Sequence, residues 1–143
     1  MRDTPLDPAQ LDFVAKRHQA VLITLRRDGS PQSSNVAYHF DGGTLRMSVT
    51  ADRAKTRNVA RDGRVIVHVL GDSFWEYVAV QGTGTVGAVT ATAGDAAGRE
   101  LLDVYEAIVG PHPDPDEFFA AMVAEHRTVL TVRPNRATGT VSG

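Results

Sequence analysis

The densest concentration of chemically active side chains is Arg53-Ala54-Lys55-Thr56-Arg57-Asn58, with Arg61 and Arg64 close behind, in a chain whose charge is otherwise balanced. The run sits where a strand gives way to a helix. Free backbone amides, the positive end of the helix dipole, Arg and Lys charges and the Thr56 hydroxyl converge there, a combination that suits a phosphate monoester or diester. The alternative on composition is a solvated helix with Arg57 and Arg61 four residues apart on one face. A second polar run, Gln32-Ser33-Ser34-Asn35, lies on a strand that ought to have one apolar side. Ser33, Asn35 and His39 share one side and Gln32 and Ser34 the other, so the strand lines a site only at a rim or a bend; otherwise it is an exposed edge. Phe74, Trp75 and Tyr77 follow Gly71-Asp72-Ser73 and offer ring faces to a planar heterocycle, or equally to a core or subunit interface.

Other chemistries find no support. The five histidines, His18, His39, His68, His112 and His126, form no HxH or HExxH spacing, so no metal site is expected. His68, between Val67 and Val69, reads as a hydrogen-bonded barrel histidine and His112 as an exposed loop residue. There is no GxSxG, and Gly82-x-Gly84 lacks the strand-to-helix setting of a dinucleotide fingerprint. With zero cysteines, thiol nucleophiles, thiolate metal sites and disulfides are excluded. No residue is singled out as catalytic.

The elements that must position these residues follow from periodicity and punctuation. Asp7-Pro8 opens a helix to about His18. Ala20 to Arg26 is a strand ending at the hairpin pair Asp28-Gly29, and Pro31 to Phe40 returns. After Asp41-Gly42-Gly43, Thr44 to Thr50 alternates Leu45, Met47 and Val49 with polar residues, which reads as an antiparallel meander. Arg53 to Asp62 is a short helix that Gly63 can stop in the left-handed conformation. Strands Val65 to Leu70 and Tyr77 to Val89 come next, the latter bent or bulged at Gly82 and Gly84. Gly94 to Val109 is a helix ended by Gly110-Pro111. Asp114, Pro115 and Glu117 resemble a capping box that opens another helix to about Glu125. Val129 to Arg133 and Ala137 to Val141 complete the strands. The pattern predicts a mainly β fold with flanking helices, a small antiparallel barrel in one domain over 1–143.

The 143 residues fit one core, and a net charge of −2 provides no general basic field, so a nucleic-acid backbone is not an expected partner. The start, MRDTPLDPAQ, lacks the apolar stretch of a signal peptide, and no run approaches membrane-spanning length; a cytoplasmic protein is expected.

With these residues in view, the chain resembles the pyridoxamine-5'-phosphate-oxidase-like split β-barrel superfamily and, within it, the actinobacterial deazaflavin-dependent oxidoreductases of the B group. The resemblance runs from Leu11 to Val141. It is carried by TLRRDGSPQSSNVAYHFDGGTLRMSV, Thr24 to Val49, and more specifically by RAKTRNVARDGRV, Arg53 to Val65. It implies an FMN-binding split barrel with Greek-key-like connections, working as a homodimer whose cofactor lies in a groove between subunits. Arg53, Lys55, Thr56, Arg57 and Asn58 then inherit a place at the cofactor's phosphate and the polyol or tail beside it. Gln32, Ser33 and Asn35 are implied near the ring system or its linker, and Ser48 and Val49 beside them. Trp75 and Tyr77 would face a ligand held mainly by the other chain. The implied activity is hydride transfer from reduced coenzyme F420 to an electron-poor conjugated small molecule. The alternatives are an FMN-dependent enzyme of the pyridoxamine-phosphate-oxidase kind and a non-catalytic flavin, deazaflavin or haem binder. Arg57 and Arg61, as surplus cations, favour the longer and more anionic deazaflavin cofactor. Gly63 departs from the proline common in relatives.

Overall fold

The computed structural model describes residues 5–139 and Val141. Helix α1 (Pro8–Ala15) is followed by β1 (Gln19–Leu25), β2 (Pro31–Ala37), β3 (His39–Phe40), β4 (Leu45–Thr50), α2 (Ala54–Arg61), β5 (Arg64–Leu70) and β6 (Tyr77–Val86). Helices α3 (Ala96–Val109) and α4 (Pro115–Ala124) then lead to β7 (Arg127–Thr138). The strands form one antiparallel sheet in the order β2-β1-β5-β6-β7-β4-β3.

That order forces closure. β2 and β3 occupy opposite edges of the sheet, yet only Tyr38 separates them in the chain. A flat sheet of this many strands would hold its edges about 29 Å apart at about 4.8 Å per step. Two Cα–Cα steps across Tyr38 span at most about 7 Å. The sheet must therefore curl until its edges nearly meet, which is the split barrel. The expected continuous strand from Pro31 to Phe40 is in fact two strands on the two edges, and the expected meander is replaced by a hairpin, a jump across the seam and a second short hairpin.

Tyr38 holds the seam. Its side chain is fully buried, and its hydroxyl donates to the Val14 carbonyl at 2.7 Å. Its backbone N–H donates to the His18 carbonyl at 2.8 Å, and His18 Nδ1 lies 3.1 Å from the Tyr38 carbonyl as its donor. Burial pushes the phenol above the ordinary tyrosine value, so the hydroxyl remains a neutral donor. Helix α1, shorter than expected at Ala15, carries Phe13 and Val14 into the same core, and Asp7 with Gln10 makes a complete capping box at its start. The inward residues of the strands, among them Leu22, Met47, Val67, Val80, Leu130 and Val132, fill the barrel.

Two glycine sites shape the curl. The register shifts between Gln81 and Gly82, as a bulge predicts, and a Cβ on Gly82 would lie 2.6 Å from the Arg133 carbonyl oxygen. Gly63 does not adopt a left-handed backbone. It is a close-approach glycine, since a Cβ there would lie 2.8 Å from the Gly84 oxygen, and its own carbonyl accepts from the Gly84 N–H at 2.7 Å.

Helices α3 and α4 cover the outer face of β4 and β7, packing Leu101, Val104 and Phe118 on Val129. Asp95 fixes the start of α3. Its carboxylate accepts from the Ala91, Thr92 and Gly98 N–H groups and the Thr90 hydroxyl, which holds it well below the usual carboxylate range. Asp114 caps α4 through the Glu117 N–H alone, so the expected reciprocal box is half made. The two strands expected from Val129 to Val141 are one twelve-residue strand; Thr140, inside the second of those ranges, lies outside the described residues. On the other outer face, half-buried Val21, Ile23 and Ile66 of β1 and β5 carry no helix among the described residues.

Tyr38→Phe removes the buried hydroxyl and its bond to the Val14 carbonyl, which still accepts from the Arg17 N–H, so the change should cost about 0.5–1.5 kcal/mol. Urea unfolding checks this, and an unchanged midpoint would show that the seam is held elsewhere.

Candidate functional site

Helix α2 begins beside the seam end of β4. Arg53 is its N-cap but makes no side-chain cap, so nothing from the capping side chain covers the amides of the first turn. The structure divides the basic run between two faces of this helix. Thr56 and Asn58 are buried beneath it. The Thr56 hydroxyl donates to the Thr50 carbonyl at 2.8 Å, and Asn58 Nδ2 donates to Thr24 Oγ1 at 3.1 Å. The same network continues through Thr24 to Gln32 Oε1 at 3.1 Å and from Gln32 Nε2 to Ser34 Oγ at 2.9 Å. Arg61 closes it from above, donating to Asn58 Oδ1 at 2.9 Å and the Leu25 carbonyl at 2.8 Å. These side chains lock α2 onto β1 and β2, so their bonding groups are already matched within the protein.

The outward side is different. Arg53 and Arg57 are exposed and Lys55 half-buried. Desolvation, then the charges of Arg53 and Arg127, lowers the Lys55 amine from its ordinary value of 10.5. Three cations thus converge where α2 starts. Arg127 opens β7 and is brought beside Thr50 by the β4–β7 pairing. Nothing local in the sequence marked it, because only the non-local register of these strands carries it to the cluster. Its Nε donates to Glu125 at 2.9 Å, and Nη1 reaches Ser48 Oγ at 3.5 Å. Together Thr50, Asp52, Arg53, Glu125 and Arg127 line an open groove of about 540 Å³.

From Arg127 the surface continues along the seam. A second hollow of about 320 Å³ lies under α3 and α4, with Ala37 and Ser48 on the sheet side and Arg127 shared with the first groove. Ala37 in turn is shared with a third, of about 330 Å³, lined by Gln19, Asn35 and Leu70 among others. Ser48, Asn35 and the exposed Ser33 accordingly lie on the outer surface of the seam strands, while Gln32 faces the network under α2. The Val49 side chain is buried in the barrel core, so only its main chain is within reach of an outside ligand.

The aromatic candidates stand apart. Phe74 and Trp75 are 86% and 75% exposed and meet edge to face. Tyr77 stacks on His68, with ring centroids 4.8 Å apart, on the uncovered outer face; His68 is therefore not inside the barrel. Neither Trp75 nor Tyr77 lines the three hollows, although Tyr77 pairs with Leu70, which lines the third. His112 is half-buried against Tyr105 and Phe118, not an exposed loop residue. Among the described residues no group of three or more His, Asp or Glu is placed to hold a metal ion, and no helix is long and apolar enough to cross a membrane.

Comparison with known proteins agrees with this architecture. A curated relative, the F420H2-dependent biliverdin reductase of Mycobacterium tuberculosis (strain CDC 1551 / Oshkosh), is 34% identical over 74 residues, which is 50% of this chain and 54% of the relative. The chain thus matches about half the length of that protein. A solved structure described as F420 reductase superposes with a TM-score of 0.66 at 26% identity, covering 89% of this chain and 94% of the other. The fold alone is shared with the haem storage protein HutZ of Vibrio cholerae, at a TM-score of 0.67, 10% identity and 95% coverage of each chain. A family described as pyridoxamine 5'-phosphate oxidase matches residues 6–140, and the chain belongs to that family.

Proposed function

We propose that this protein is a coenzyme F420-dependent oxidoreductase, acting in the cytoplasm as a homodimer and reducing an electron-poor conjugated small molecule. The observation that carries this reading is the cation cluster at the start of α2, where the charges of Arg53 and Arg127 act on Lys55 and both arginines line the open groove. Such a set fits a phosphate. Guanidinium and ammonium donors supply charge-assisted bonds, and the uncapped first turn of the eight-residue α2 adds amides and the positive end of a dipole. Burial, and then the charges of Arg53 and Arg127, disfavour Lys55 as a cation in the free protein, and an anionic ligand would offset that cost.

The relatives that name F420 support the cofactor's identity. When bound, reduced deazaflavin supplies a hydride, which with one proton from solvent reduces one double bond of the acceptor. The chain's own residues need only hold, orient and shield. Arg53 and Lys55 would grip the phosphate, and exposed Arg57 would meet the further negative charge of the acidic tail. Ser48 and Asn35 offer polar groups along the groove toward the ring, and α3 with α4 keeps water from one side. Thr56, Asn58 and Gln32 act indirectly, by fixing α2. FMN would use the same phosphate site, and Arg57 distinguishes the two, because FMN has no acidic tail for it to meet.

The uncovered outer face of β1 and β5 supports a second copy as partner. Closing it would bring Trp75 and Tyr77, which lie off the groove of their own chain, toward that of the other. Ile66→Glu puts a charge in the middle of this face and should convert a dimer to monomer in sedimentation experiments; a monomeric parent protein would refute the pairing.

Fluorescence titration tests the cofactor. F420 should bind more tightly than FMN, and Arg53→Ala should weaken F420 by about tenfold or more, the usual size of a lost charge-assisted bond. Tighter FMN binding would transfer the assignment to that cofactor. Lys55→Met should act in opposite directions, weakening F420 while raising the melting temperature of the free protein at neutral pH. The sign follows from the lowered folded-state value: the charge costs stability at neutral pH, and that cost disappears as pH rises through this value toward 10.5. The melting advantage of Lys55→Met should therefore shrink in alkaline buffer. A variant that melts lower at neutral pH would contradict it.

A further inference from the structure

The hairpin that joins β5 to β6 displays Phe74 and Trp75, the most exposed large apolar side chains among the described residues. Their rings meet edge to face with centroids 4.6 Å apart. The turn that carries them is tied to itself. The Gly71 N–H donates to the Glu76 carbonyl at 3.0 Å, the Glu76 N–H to the Ser73 carbonyl at 3.1 Å, and the Trp75 N–H to Ser73 Oγ at 3.2 Å. Rings held on a fixed turn lose little freedom when they are covered, which suits them to anchor an interface.

The same outer face carries a hollow at the opposite end of these strands. Ile23, Leu25, Ile66 and Gly82 line it, together with Arg64 and Gln81. At about 250 Å³ it falls below the roughly 300 Å³ at which small-molecule sites begin, which favours a side chain over a ligand as its occupant. The two ends also differ in charge. Asp72 and Glu76 flank the rings, whereas Arg133 and Arg136 stand exposed on β7 opposite Thr83 and Gln81, next to the hollow. Arg136 Nε donates to Gln81 Oε1 at 2.9 Å, and the charge of Arg64 is met by Asp62 at 2.8 Å.

We propose that Phe74 and Trp75 of each copy seat in the hollow of Ile23, Leu25 and Ile66 of a second copy, so that these rings are the anchors of the homodimer and not contacts to a ligand. The assignment rests on the homodimer part of the functional reading and adds which surfaces meet. Leu70 and Ile66 lie two residues to either side of His68 on β5 and point outward with it. They are about 13 Å apart at about 3.3 Å per residue, so the rings beyond Leu70 cannot fill the hollow of their own chain. A two-fold axis through the paired His68 and Ala79 exchanges the two ends of the face, which puts rings over hollow, and acids beside arginines, twice in one isologous contact. A dimer built this way forms without any cofactor.

Trp75 is the sole tryptophan of the chain, so intrinsic fluorescence reads its surroundings directly. In the full, cofactor-free protein its emission should move to the blue, and its quenching by acrylamide should fall severalfold, over the concentration range in which sedimentation shows dimer forming. The double variant Phe74→Ala, Trp75→Ala should weaken the dimer by about thirtyfold or more, the size of a lost anchor residue, while the melting temperature of the dilute protein stays the same because both rings are exposed. Leu25→Asp, which puts a charge in the hollow, should weaken it as much; Ile66→Glu serves in its place should that variant not fold. Mixing the ringless variant with the charged-hollow variant should restore dimer that neither forms alone, since the mixed pair keeps one set of rings facing one intact hollow.

A cofactor-free dimer in which Trp75 is still quenched as freely as in the monomer, or a mixture of the two variants that stays monomeric, overturns the seating and leaves the homodimer standing. A parent protein that is monomeric at every concentration overturns both. F420 titration of the parent protein reports on the cofactor assignment separately, because the proposed contact involves none of the cations at the start of α2.

Discussion

Everything described here depends on the single residue between β2 and β3. Because Tyr38 alone connects the two edges of the sheet, the barrel cannot open without pulling this side chain from the core or breaking its bonds to Val14 and His18. Closing the seam also creates the groove. Ala37 precedes Tyr38 on one edge, and Ser48 lies on the strand paired with the other, so the groove runs along the line where the sheet meets itself. A barrel without this closure would separate the Asn35 side of the groove from the Ser48 side.

The second governing constraint is electrostatic. Arg53, Lys55 and Arg127 approach from the start of α2 and the start of β7, and each is carried by an element whose own packing is secure. Thr56 and Asn58 anchor the helix, and the β4–β7 pairing anchors the strand. The repulsion among the cations is thus opposed by groups other than the cations themselves. This is the arrangement expected where a site is prepared for an anion at some expense to the free protein.

Much of this was legible in the sequence because it was local. The Asp28-Gly29 hairpin, the short helix after Arg53, the bulge at Gly82 and the stop at Gly110 each follow from a few adjacent residues, and all are present. The cationic character of α2 was legible for the same reason. The internal use of Thr56 and Asn58 was not, because helical phase says which residues share a face but not which face turns to the barrel. Gly63 was read as a helix stop, whereas the approach of the Gly84 backbone is what requires it, and that contact joins separate strands. Arg127 and the seam at Tyr38 were invisible for the same reason: both derive from strand order, which alternation of apolar residues does not encode. Nor did alternation show that the last strand continues through Pro134, whose missing N–H is tolerated beside the bulge opposite Gly82.

Helix α2 carries two kinds of information on opposite sides of eight residues. Toward the barrel, Thr56, Asn58 and Val59 are tied to the strands; toward solvent, Arg53, Lys55 and Arg57 are free of such ties. Drift at the three outer positions can therefore retune which ligand is held, while the inner three keep the scaffold constant. A family with this division can diversify its chemistry by point substitution on a surface, without revisiting the folding problem each time.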